Sequence, residues 1–159
     1  MNEAHIRFSS AKEFVETIKL SLTSPEYKDG HVEMAIRPTQ MLAGFAAELY
    51  LKAWLLGDGM PSSDVRRFGH RLHDLHKEVL KRGFPIYQGI AALINLLAEP
   101  HGQSGDYVYR YTAADANIDI VNWSKALPIF QTLASVVDHK IEARTSYGLA
   151  PTPLHPLVV

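Results

Sequence analysis

Between Met41 and Leu56 the chain carries only two residues that are charged at neutral pH, Glu48 and Lys52; the rest is dominated by Leu, Ala, Phe, Tyr and Trp. A helix that is apolar round most of its circumference is a buried helix, and a buried charge without partners is very costly. Glu48 and Lys52 stand four residues apart with the acid first, the favourable order for an intrahelical pair. Two readings follow. In one, the pair lies at the edge of the core. In the other, Glu48 is buried and needs a further partner from a distant cation or imidazole, for which His70 and Arg110, each beside an expected helix boundary, are the candidates. Either way a polar cluster of Glu48, Lys52, His70 and Arg110 is expected to be architectural.

The rest of the pattern is helical. Ser10 and Glu13 have capping-box spacing, and Ala11, Phe14, Val15, Ile18 and Leu22 recur at helical intervals up to Thr23-Ser24-Pro25. Pro38 suits the first turn of the second helix, which is expected to stop at Gly57-Asp58-Gly59. Residues 60–69 read as a loop. A third helix carries Leu72, Leu75, Val79 and Leu80 and ends at Gly83, and Pro85 is expected to open a fourth with Ile86, Ile90, Leu93 and Leu97. An irregular loop is expected at about 101–117. The last helix shows a seam of Ile120, Trp123, Leu127, Phe130, Ala134, Val137 and Ile141, packed within the bundle or across a dimer interface, with a kink or a restart at Pro128. The expectation is an all-α bundle of four to five helices in a single domain at 1–147, with an extended proline-containing tail at 148–159.

Composition narrows the function. Sixteen basic residues against seventeen acidic ones exert no general pull toward nucleic acid or anionic membrane. The absence of cysteine excludes a thiolate nucleophile, a thiolate metal site and a disulfide framework, and fits a reducing compartment. With no signal-peptide pattern at the start and no apolar run of about 20 residues, a cytoplasmic chain without membrane association is expected. Phosphate-binding glycine loops, dinucleotide fingerprints and serine-elbow motifs are missing, so ordinary metabolic catalysis and a cofactor are not expected.

Three groups of residues remain to be weighed. His70, His73 and His76 repeat every third residue, but the third step drifts round the helix and no thiolate is at hand, so no metal is expected. Arg71 and His76 form an Arg-x4-His spacing. A guanidinium to hold a phosphate and an imidazole to move a 2′-hydroxyl proton are the minimum for metal-independent RNA cleavage. Five residues apart on one helix they point about 140° away from each other, so they cannot touch on one surface but can flank a groove, best one completed by a second subunit; the plainer reading is two solvated residues flanking a core stripe. Tyr107, Tyr109, Arg110 and Tyr111 can stack bases beside a cation or plug the core with tyrosines.

The run Ala47-Glu48-x2-Leu51-Lys52-Ala53-x-Leu55, followed by Gly69-His70-x-Leu72-x2-Leu75 and a later Arg110-Tyr111, resembles bacterial members of the HEPN superfamily (higher eukaryotes and prokaryotes nucleotide-binding). The resemblance covers about half the chain, chiefly residues 41–80. It implies an all-helical homodimer in which Glu48, His70 and Arg110 share a buried cluster. It also implies one of two functions. The first is a non-catalytic module that binds nucleotide, RNA or a protein such as a nucleotidyltransferase or an antitoxin; the second is a metal-independent ribonuclease. The chain departs from the ribonuclease pattern: Leu72 follows Arg71 where a polar residue is frequent, the motif overlaps the Gly-His segment, and no histidine follows Arg110 at four to six residues. The non-catalytic module is therefore the expectation, with Arg71 and His76 acting across a dimer cleft as the alternative.

Overall fold

A computed structural model of the protein describes residues 2–25, 32–105 and 119–142. Among these residues there are six helices and no strand: α1 (Glu3–Thr23), α2 (Val32–Gly57), the short α3 (Ser62–Arg67), α4 (Leu72–Lys81), α5 (Gln88–His101) and α6 (Trp123–Ile141). The all-α bundle expected from the hydrophobic periodicity is thus present. No helix in the described residues is long and apolar enough to cross a membrane.

The central element is α2. Ala43, Ala46, Ala47, Tyr50, Leu51, Ala53, Trp54 and Leu55 are all buried, because α1, α4, α5 and α6 each pack against α2. The small side chains of Ala43, Ala46, Ala47 and Ala53 let neighbours approach closely, and the large residues Tyr50, Leu51 and Leu55 fill the space between helices. Phe8 of α1 meets Tyr50 edge-on at 5.7 Å, and Phe84, after α4, meets Trp54 at 5.5 Å. The amphipathic face of α4 buries Leu72, Leu75 and Val79, as their spacing requires.

Several boundaries differ from those read in the sequence. Helix α1 begins seven residues before Ser10, which lies in its interior. The cap is Asn2, whose side chain accepts from the His5 backbone N–H at 3.0 Å and so satisfies a first-turn donor. Pro38 is not at the start of α2 but inside it. The stretch read as a loop at 60–69 contains α3, with the apolar Val65 turned into the core. Pro85 does not open α5, which starts at Gln88; Ile86 is 85% exposed and contributes nothing to the buried face of Ile90, Leu93 and Leu97. At its other end α5 passes through Pro100 to His101, so the irregular segment starts one residue later than expected.

Helix α6 continues through Pro128. Its buried line is Ala126, Phe130, Leu133, Val137 and Ile141, whereas Ile120 precedes the helix and is exposed and Trp123, Leu127 and Ala134 are half-buried. The face against the core is therefore rotated from the seam read in the sequence toward Leu133 and Ala126. That face packs on α2, α1 and α5 within the chain. The expected tail at 148–159 lies outside the described residues.

Candidate functional site: a carboxylate shared by a lysine and two imidazoles

Glu48 lies two turns before the end of the apolar stretch of α2, and its side chain is only 4% exposed as a residue. One oxygen, Oε1, accepts from Lys52 Nζ at 2.6 Å. The other, Oε2, lies 2.8 Å from His70 Nδ1 and 2.7 Å from His101 Nε2. Lys52 Nζ also donates to the Gly69 carbonyl at 2.7 Å. Three separate parts of the fold thus end on one carboxylate: α2, the turn between α3 and α4, and the last residue of α5.

Each partner is delivered by a local feature. Gly69 adopts φ +57, a left-handed conformation that glycine takes without strain; it turns the chain so that its carbonyl faces Lys52 and the next side chain, His70, faces Glu48. His101 approaches α2 at Gly44, one turn before Glu48. A Cβ at Gly44 would stand 2.4 Å from His101 Nδ1, so only glycine leaves room for the ring. Phe45 then packs against both imidazoles, with centroids 4.9 Å from His101 and 6.0 Å from His70 and planes nearly perpendicular to each. The two imidazoles themselves meet at 5.5 Å and 88°.

Burial alone would push the Glu48 carboxyl up. The hydrogen bond from His101, the charge and hydrogen bond of Lys52 and the hydrogen bond from His70 override it, holding the group at about 2. Glu48 is therefore ionised and acts only as an acceptor. It follows that both imidazoles donate to it: His70 carries a proton on Nδ1 and His101 on Nε2.

The structure brings together three of the four residues expected in the polar cluster, Glu48, Lys52 and His70. Arg110 lies outside the described residues, as do Tyr107, Tyr109 and Tyr111. The partner that sequence reasoning missed is His101, which is 2% exposed. It was assigned to the irregular segment expected from residue 101, whereas it is the last residue of α5. The available signal was Gly44, a residue without a side chain on the most apolar helix, one turn before the lone acid.

The remaining histidines do not join the cluster. His73 Nε2 pairs with Asn95 Oδ1 at 3.1 Å, while its backbone N–H donates to Gln103 Oε1 at 2.9 Å, which caps α4 from beyond α5. His76 is half-buried on α4, where burial and then the neighbouring His73 lower its pKa. Arg71 stands at the start of α4, and its guanidinium reaches Asp74 at 3.0 Å and the carbonyls of Arg67 and Phe68 at 2.9 and 3.1 Å. Among the described residues of one chain Arg71 and His76 share no partner.

No family model, no curated protein and no solved structure matches this chain.

Proposed function

We propose that this chain is a HEPN-like, non-catalytic binding module that works as a homodimer and engages a nucleotide, an RNA or a protein partner. The observation that carries the reading is the saturation of Glu48. Its two oxygens accept three donors from within the chain, delivered by α2, the α3–α4 turn and α5. A carboxylate held ionised at about 2 and fully engaged has no proton to give and little tendency to take one near neutrality. It suits a residue that fixes α2, the α3–α4 turn and α5 in one arrangement, leaving the exposed surface for recognition. The order of the Glu-Lys, Gly-His and Arg-Tyr segments supports the HEPN-like assignment.

A metal-independent ribonuclease is the second reading, favoured by one observation. The lowered pKa of His76 keeps its imidazole neutral near pH 7, the form able to accept a 2′-hydroxyl proton. Against it, the Arg71 guanidinium is occupied by Asp74 and two carbonyls.

The two readings separate in one assay. Purified protein of known oligomeric mass is mixed with labelled single-stranded RNA in EDTA, with Arg71→Ala and His76→Ala alongside. The module reading expects no cleavage by any of the three. Cleavage by the parent that both substitutions abolish, with folding and mass unchanged, would establish the ribonuclease and overturn the module.

A further inference from the structure

We propose that Glu48, His70 and His101 form a binding site for one divalent transition-metal ion of the zinc class, with Lys52 as the residue that orients the ligating carboxylate. The inference goes beyond the binding-module reading and does not depend on it.

The argument is geometric. Glu48 Oε2, His70 Nδ1 and His101 Nε2 come from three different parts of the fold, yet all lie within 4.8 Å of one another. They form the one group of three or more His, Cys, Asp or Glu side chains among the described residues with that property. Metal–nitrogen and metal–oxygen bonds of about 2.0–2.1 Å in a tetrahedral site place neighbouring ligand atoms about 3.3 Å apart. The present spacings of Glu48 Oε2 to the two nitrogens, 2.8 and 2.7 Å, are shorter. An ion therefore enters if each nitrogen recedes from the oxygen by about half an ångström, well within side-chain adjustment. Two imidazoles and a carboxylate with no thiolate select zinc-like cations over calcium or magnesium, which prefer all-oxygen shells.

The surroundings also match what a metal needs. Ligating carboxylates are normally held by a further hydrogen bond that turns one oxygen toward the ion. Lys52 does this at Oε1 with 2.6 Å geometry, itself anchored on the Gly69 carbonyl, so that Oε2 alone faces the imidazoles. Phe45 fixes both rings by edge contacts and supplies an apolar wall. Glu48 and His101 are enclosed, while the His70 side chain is 30% exposed, which gives the ion an entry path. On binding, the two N–H···O contacts to Oε2 are replaced by two nitrogen–metal bonds, and each neutral imidazole carries its single proton on its other ring nitrogen. His73 and His76, the other members of the sequence triplet, have no part in the site.

The test uses the full chain stripped with a chelator and then dialysed free of it. Zn²⁺ is titrated calorimetrically, and Co²⁺ is titrated with d–d absorption as the readout of coordination. The expected result is one equivalent per chain, a tetrahedral Co²⁺ spectrum, and binding weakened at least about tenfold by His70→Gln and unchanged by His76→Gln. His70 is the partly exposed ligand, so its substitution leaves the enclosed core in place, and circular dichroism checks that it does. Absence of one-equivalent binding by the parent protein would overturn the proposal. So would binding that survives His70→Gln at full strength in a folded protein.

Discussion

Glu48 accepts from partners four, 22 and 53 residues away in the chain, and this reach sets what single substitutions do. Its depressed pKa is a statement about stability. A carboxyl at about 2 in the folded protein, against 4.5 when unfolded, contributes stability that is complete above 4.5 and disappears as pH falls toward 2. The full contribution is on the order of 3 kcal/mol. Urea unfolding of metal-free protein between pH 7 and 2.5 is expected to show this loss, and Glu48→Gln to flatten that part of the profile; equal slopes for the two would refute the ionised cluster. The proton positions are checked separately. Nitrogen-15 NMR of the metal-free protein is expected to show His70 protonated on Nδ1 and His101 on Nε2. At Gly44 the reasoning concerns space. Gly44→Ala would push a Cβ to 2.4 Å from His101 Nδ1, so His101 or α5 must shift, with an expected loss of about 1–3 kcal/mol in the same unfolding experiment.

At the scale of elements, the helix-forming faces were legible and the ends were not. Of the stripe read as Leu72, Leu75, Val79 and Leu80, the first three are buried and Leu80 is half-buried beside them. Two prolines misled: Pro38 was read as opening its helix and Pro85 as opening the next, whereas Pro38 lies inside α2 and α5 starts only at Gln88; Pro100 and Pro128 also lie inside helices, whose packing against the bundle outweighs the missing N–H. The end of α5 mattered most, because starting the irregular segment at 101 took His101 out of the helix and out of the site. Glu48, Lys52 and His70 were recognisable because a lone charge on an apolar helix demands partners. Which distant residue supplies the second imidazole depends on how α5 crosses α2, and local pattern does not encode that crossing. Pro128 allows a direct check. It is exposed in the second turn of α6, so Pro128→Ala restores a helical donor without disturbing the buried face. Its expected effect is a gain of about 1–2 kcal/mol, the helix penalty of proline less its restriction of the unfolded chain. A destabilised variant would show that the proline ring itself is needed.

Over the whole molecule, two kinds of polar contact tie the bundle together, and they differ in worth. At one end Asp58, after α2, holds Lys140 of α6 at 2.7 Å and Arg82, after α4, at 3.2 Å. These groups are in contact with water, where ion pairs contribute little, so Asp58→Ala is expected to lower stability far less than any break in the Glu48 cluster. The cluster joins α2, the α3–α4 turn and α5 around a carboxylate, a lysine and His101 that are all enclosed, with His70 alone partly exposed. The most direct measurement is therefore urea unfolding of Glu48→Ala beside the parent protein at pH 7, both free of metal. Removing the carboxylate strands the Lys52 ammonium and two imidazole donors in the interior, and the expected loss is about 3–5 kcal/mol. A Glu48→Ala protein that unfolds at the same urea concentration as the parent would contradict the claim that this cluster holds the bundle together.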